Sequence, residues 1–570
     1  MNTRSFRRTR LVMLLAVAGI PLSVSAQAQV PLPINSGSVL KDVLPPKGPE
    51  PLRPEAPPAP VITQEADTPL TLAEGQTLFI RDFQVDGAAF LDAEQLAAVL
   101  APYRGRELSM NEINEAANRV TVLCRSQGYL VARAYVPKQN IQDGVLLIKV
   151  IAGQYGSFLI KNHSLVDDFL LQGTFDASKD DSAIVTRDGL ERPMLLVSDM
   201  PGARLPTVSI GPGSAPGTSD FVVETEAAER LAGYLVADNY GSRFTGKNRL
   251  SFGADLNSPF GIADRLSISG LTSQGGGLQN GRAVYAFPLS YNGLRGEIAA
   301  GKTTYKLGDE YADLDATGVA DVFEGTLSYP LRRSREDNIY LSLNFAGKRL
   351  KDEIAAASTT IAKRAKVATL TLQRETYGSL FGYSTYLNLS GALTVGRLEF
   401  DDDAQKAANK AGADTAGNYG KLNFAVTGNL AFDNTWSLGG SVRLQQALNK
   451  NLDGSEQLSI SGPNGIRSYP DGVTGDNGYL VNLEVKYALP AVIGIEHAVS
   501  VFADYGAGRP EDGGYTTVGW VSISDAGVAY TAADKTFFGR LQLAQTLGEH
   551  HEISSYNNKF KVQAQIGLRF

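Results

Sequence analysis

The last eleven residues read FKVQAQIGLRF, Phe560 to Phe570, and their reading decides the fold. Phe560, Val562, Ala564, Ile566, Leu568 and Phe570 take every second position, with Lys561, Gln563 and Gln565 between them. A period of two puts each set on its own face of a strand, one apolar and one polar. The same texture runs back to about Leu231. Tyr479, Val481, Leu483, Val485, Tyr487 and Leu489 alternate with Asn482, Glu484 and Lys486. Leu341, Leu343 and Phe345 alternate with Ser342 and Asn344, and Leu422, Phe424 and Val426 with Asn423 and Thr427. Gly, Asp and Asn turns separate segments of roughly ten residues, over roughly 340 residues in all, which is the pattern of a transmembrane antiparallel β-barrel.

A soluble β-sandwich alternates too, with its apolar face packed on a second sheet. The other end of the chain decides between them. Arg4, Arg7, Arg8 and Arg10 precede the apolar run Leu11 to Ile20 and the small-residue site Ala26-Gln27-Ala28, so residues 1–28 read as a secretory signal peptide. Beyond Ile20 no apolar run is long enough for a spanning helix, so an exported chain that crosses a membrane does so as a barrel.

At 570 residues the chain holds more than one folded unit. Lys+Arg number 53 against Asp+Glu 60, a net charge of −7 without long blocks, which points to no nucleic-acid partner. One cysteine, Cys124, excludes an internal disulfide framework and reads as a small core residue on an amphipathic helix.

Ahead of the barrel, Ser36 and Ser38 precede Val39, Leu40, Val43 and Leu44 on one helical stripe, giving a short helix within 35–44. A helix this short is marginal alone and is expected to dock on something. Residues 45–75 form a proline-rich linker, with PPKGPEPLRPEAPPAP at Pro45 to Pro60 read as an extended spacer. Residues 78–153 read strand, helix, helix, strand, strand. The second helix opens on a capping box, Ser109 with Glu112, continues through Ile113, Ala116, Ala117, Val120 and Leu123, and stops at Gly128. A divergent second copy fills 154–227, and the barrel fills 231–570.

Catalytic groups are sparse. His163, His497, His550 and His551 are the only histidines and make no metal-ligand spacing; LEFDDD, Leu398 to Asp403, reads as a solvated charge run; no glycine-rich phosphate loop carries a lysine. The expectation is a protein that is not an enzyme and uses no cofactor or metal.

Several segments, in their order and spacing, resemble the two-partner secretion transporters, the haemolysin/haemagglutinin secretion and activation proteins of the outer-membrane assembly factor superfamily. They are RAYVP (Arg133 to Pro137), PGTSDFVVE (Pro216 to Glu224), DNYGSRFTG (Asp238 to Gly246), SGPNGIRSYP (Ser461 to Pro470), GDNGY (Gly475 to Tyr479) and FADYG (Phe502 to Gly506). The resemblance implies a barrel of 16 strands, two periplasmic polypeptide-transport-associated (POTRA) domains, and a plug helix inside the pore carrying Val39, Leu40, Val43 and Leu44. It also implies that a lid loop over about 449–478 folds back into the lumen, where Arg467, flanked by Ile466, Ser468 and Tyr469, meets Asp504 beside Phe502. Ser468 stands where that family has glycine, which leaves the local turn geometry open. Phe560, Val562, Ile566, Leu568 and Phe570 resemble the terminal signal read by the barrel assembly machinery.

The implied function is a pore of the bacterial outer membrane that captures an unfolded exoprotein through the POTRA domains and secretes it without nucleotide hydrolysis. Open sheet edges suit that capture, because strand addition binds main chain with little demand on sequence. The implied partner is a large β-helical adhesin or haemolysin-like protein, with outer-membrane lipids around the barrel. Two rivals share parts of the pattern: an insertase of other barrels, which generally carries more POTRA units, and a passive porin, which leaves both α/β units idle.

Overall fold

A computed structural model describes residues 34–43, 56, 58–64, 77–139, 141, 143–469, 472–516, 519–548 and 559–570. The segment read as a signal peptide, Leu44, most of the linker and His550-His551 lie outside the described residues.

Sixteen antiparallel strands close into one barrel, from Leu231–Asp238 to Phe560–Arg569. Closure pairs Tyr234 with Arg569 through to Asp238 with Gln565, and Phe570 extends it by exchanging both backbone hydrogen bonds with Gly233, at 2.8 and 3.1 Å. A sheet with an apolar outer face cannot leave an edge in lipid, and closure removes the edge. In the last strand Phe560, Val562 and Ile566 face outward while Lys561, Gln563 and Gln565 are buried inside. The strands run from 8 to 22 residues, the longest being Thr359–Leu380, a wider spread than the roughly ten residues expected. Among the described residues no helix is long and apolar enough to cross a membrane.

The first α/β unit packs helices Ala93–Leu100 and Met110–Ser126 on a sheet of Asp82–Asp86, Val145–Ile151 and Arg133–Tyr135. Its capping box forms as read: the Ser109 hydroxyl accepts from the Glu112 amide at 3.3 Å and Glu112 accepts from the Ser109 amide at 2.7 Å. The Ser109 amide, with the Ser109 hydroxyl donating to the same carboxylate at 2.9 Å, holds the Glu112 carboxyl below its ordinary pKa. Cys124 is buried in the core with Ile113, Val120 and Ile148. The unit's first strand, read as one, is two, Thr77–Ile80 and Asp82–Asp86, broken at Arg81, and Thr77–Ile80 pairs with Arg106–Ser109 between the helices.

The second unit orders its strands Ile62–Gln64, Thr207–Pro212, Thr218–Glu226, Gln154–His163, backed by helices Asp168–Asp181 and Arg187–Ser198. The first of these comes from the linker. It pairs parallel with Thr207–Pro212, Ile62 packs on the unit's core, and the edge expected to be open is covered by the chain itself. Sequence reading missed it because three residues between prolines carry too little pattern.

This unit sits on the barrel's near rim. Arg333 grips Asp199 through Nε (2.7 Å) and Nη2 (2.8 Å), Arg192 donates to the Pro330 carbonyl (3.1 Å), and the Asp167 amide donates to the Gly261 carbonyl (2.7 Å). With Arg192 also donating to the Asn292 carbonyl at 3.4 Å, three consecutive turns hold the unit at one side of the mouth.

Candidate functional site: a lid and a helix inside the barrel

Between strands Trp436–Ala447 and Asn477–Val492 the chain turns into the lumen rather than away from it. Ile460, Ile466, Tyr469 and Val473 of this loop pack with Leu480 and Ile523 of the wall. Gly506 makes the approach possible: a Cβ there would stand 2.6 Å from Ile460 Cγ2. An apolar knot within a polar lumen gives the loop one preferred seat.

Arg467 occupies the centre of that seat. Its Nη1 donates to Glu484 Oε2 at 3.1 Å, its Nη2 donates to Asp504 Oδ1 at 3.4 Å, and its Nε lies 3.0 Å from Asp504 Oδ2. The guanidinium stacks 3.8 Å over the Phe502 ring. Arg540 shares Glu484 at 2.9 Å and the Ser500 hydroxyl donates to its other oxygen at 2.8 Å, so the acid bridges lid and wall. Asn482 ties Asp504 (2.8 Å) to the Gly465 carbonyl (2.9 Å). A planar guanidinium suits this arrangement because its fixed fork serves two carboxylates at once.

Ser468 is not strained: it is absent from the residues of positive φ, and its amide donates to Asp525 Oδ2 at 2.5 Å. Serine in place of glycine therefore costs no backbone conformation here. Asp525 faces Asp504 across the ladder and was not singled out in the sequence, where SISDAG carries no distinguishing pattern.

The helix expected as a plug is Val39–Asp42, one turn, inside the barrel. Val39 is fully buried, whereas Leu40 and Val43 are only half-buried, so the apolar stripe contributes less than expected. Its preceding residues do the holding. Asp352 of the wall accepts the Ser36 amide (2.6 Å), the Ser36 hydroxyl (2.8 Å) and the Tyr305 hydroxyl (2.8 Å). Each bond to a charged group is worth about 1.5–3 kcal/mol. Gly37 fits against the lid, since a Cβ there would lie 2.7 Å from the Ser455 amide and 2.8 Å from Asp453 Oδ1.

The lid base is pinned to the wall beside this contact. Lys363 pairs with Asp453, and Lys348 (2.5 Å) and Lys421 (2.9 Å) pair with Glu456. Helix, lid and wall thus meet in one buried polar cluster, and all three border a cavity of about 700 Å³ lined by Lys41, Tyr240, Arg249, Lys421, Arg443 and Lys486 among others. Asp352, Asp453 and Glu456 escaped sequence reading because each acts on residues at least ninety positions away or on another strand. The acidic LEFDDD run is structural: Asp402 caps helix Asp403–Ala411 and Asp401 pairs with Arg364 at 2.8 Å. Among the described residues no group of His, Cys, Asp and Glu could hold a metal.

Comparison with known proteins matches residues 217–527 to a family described as haemolysin secretion/activation protein ShlB/FhaC/HecB, and residues 78–153 to the ShlB-type POTRA domain. The heme/hemopexin transporter protein HuxB of Haemophilus influenzae (strain 86-028NP) is 26% identical over 468 residues, 80% of this chain and 81% of the relative. The outer membrane transporter CdiB of Dickeya dadantii (strain 3937) is 22% identical over 71% of both chains. Among solved structures, CdiB from Escherichia coli aligns with a TM-score of 0.69 at 18% identity, over 88% of this chain and 93% of that one. CdiB from Acinetobacter baumannii gives 0.59 at 15% identity, over 93% and 96%.

Proposed function

Because the chain belongs to the haemolysin secretion/activation family and is a two-partner secretion transporter of the outer membrane, we propose that export is gated by two seated parts, the helix near Ser36 and the lid at Arg467. The second α/β unit catches an extended segment of the exoprotein by strand addition. Its edge at Thr207–Pro212 becomes free when linker strand Ile62–Gln64 leaves, and that departure slackens the chain leading back to the plug. The plug then releases Asp352 and Gly37 leaves the lid, opening the polar lumen to a threading chain. Folding outside the cell supplies direction without nucleotide hydrolysis.

The observation that carries this reading is the shared contact of plug and lid, Gly37 against Asp453 and Ser455, which joins both gates into one cluster. An exoprotein of the large β-helical adhesin or haemolysin class is the proposed client, and the barrel assembly machinery the proposed route of insertion. Co-expression with the large exported protein of a neighbouring reading frame tests it. Deleting 154–227 should abolish surface appearance of that partner while the barrel remains heat-modifiable; export that persists defeats the capture step. A porin reading predicts an open pore at rest, whereas plug and lid both sit within the lumen here.

A further inference from the structure

The outward face of a membrane barrel should be apolar in its middle and polar at its rims. On three adjacent strands near the rim farthest from the α/β units, that face carries a concentration of positive charge. Arg349 lies on strand Asp337–Ile354, Arg364 and Lys366 on Thr359–Leu380, and Arg397 on Tyr383–Phe400, all exposed. Their register is the informative fact. Arg349 stands directly opposite Arg364, and Lys366 directly opposite Arg397. Like charges facing each other across a ladder destabilise a sheet unless something neutralises them.

Neighbouring acids neutralise only part of the cluster. Arg364 pairs with Asp401 at 2.8 Å and Arg397 with Glu399 at 2.7 Å. Asp321, the other cross-strand neighbour of Arg349, lies 3.9 Å from Lys302. Among the described residues neither Arg349 nor Lys366 has an ion pair. Immediately toward the membrane centre the same face turns apolar, with Phe323, Phe345, Leu370, Leu393 and Val395 all exposed. A charged patch directly above an apolar one matches a ligand with anionic head and acyl tail.

We propose that Arg349, Arg364, Lys366 and Arg397 form a binding site for a phosphorylated saccharolipid of the outer leaflet, its phosphate between the facing cations and its acyl chains over Phe323, Phe345 and Val395. Guanidinium groups bind phosphate oxygens in bidentate fashion, and the lysine adds a point charge. Continuity with the lipid-facing belt selects this occupant over a soluble anion, which would leave the apolar half bare. The site rests on the outer-membrane placement and not on the gating scheme, so a failed lipid test leaves the export reading untouched.

The purified full chain in non-ionic detergent is mixed with bisphosphorylated lipid A, with dephosphorylated lipid A, and with inorganic phosphate, and bound lipid is counted by native mass spectrometry. The bisphosphorylated lipid should bind. Arg349→Gln with Lys366→Gln should weaken retention about tenfold or more, the worth of one or two charge-assisted contacts. Arg349→Lys with Lys366→Arg should keep it, and Lys306→Gln, at the same rim outside the cluster, should not alter it. Equal retention by the double glutamine variant, an equal loss with Lys306→Gln, equal binding of the dephosphorylated lipid, or full competition by inorganic phosphate would each overturn the proposal.

Discussion

Asp352 accepts both the amide and the hydroxyl of Ser36, one on each carboxylate oxygen, at 2.6 and 2.8 Å, across 316 positions of sequence. This relationship seats a one-turn helix that is too short to hold itself. Asp352→Ala should remove about 2–4 kcal/mol of seating, summing two net charge-assisted bonds at a discount for shared geometry. In planar bilayers the variant should show frequent openings where the parent is mostly closed. Gly37→Ala should do the same by collision with the Ser455 amide, and unchanged conductance in both would refute the seat.

Arg467 stands between two acids, and removing it strands buried charge. Arg467→Ala is expected to cost about 3–5 kcal/mol, and Arg467→Ala with Asp504→Ala less than the single change. The midpoint of barrel unfolding, followed by heat-modifiable migration, measures this; a double variant weaker than the single one would show that Asp504 is not held by Arg467.

Asp199 and Arg333 join the second α/β unit to the barrel rim through two bonds of 2.8 and 2.7 Å. Asp199→Arg places two guanidinium groups together and should reduce export, and the exchange Asp199→Arg with Arg333→Asp should restore it. Binding of the partner to the α/β units should be the same in all three, because the pair positions the unit without touching its free backbone groups.

Ile62 anchors the linker strand over the edge Thr207–Pro212. A competitor in the same chain lowers apparent affinity by the fraction of time the edge is covered. Ile62→Asp should therefore tighten partner binding, read by titration calorimetry. Weaker binding would mean that the linker strand is part of the receptor.

Glu112 supplies a pH test outside the membrane. Its folded pKa is held below the ordinary carboxylate range, chiefly by the Ser109 amide. A depressed carboxylate stabilises the fold above its unfolded pKa, and that contribution disappears as pH falls through the folded value. Hydrogen-exchange protection at the start of helix Met110–Ser126 should thus decline on acidification below about pH 4.5, the upper end set by the ordinary glutamate value. Glu112→Gln should start lower and change less.

Much of the architecture was legible because it is local. Alternation in Phe560 to Phe570 sets inside against outside, and the Ser109–Glu112 capping box marks a helix start within four residues. Resemblance supplied Arg467 and Asp504 as partners. It did not supply Glu484, Asp525 or Asp352, which look like any acid on an alternating strand. The linker strand at Ile62 was read as spacer, since its pairing depends on an edge about 145 residues away, and edges are not marked in sequence.

The residues alone determined that the chain is exported, that its C-terminal part alternates at period two over enough strands to close, and that two α/β units precede it. Periodicity and capping depend on neighbours within a turn or a strand, so they survive in a linear reading. Tertiary structure alone decided which polar and charged groups meet: Ser36 with Asp352, Ser468 with Asp525, Arg349 facing Arg364. Those pairings depend on barrel register and on where loops enter the lumen, and each is set by closure of the whole sheet rather than by any segment of it.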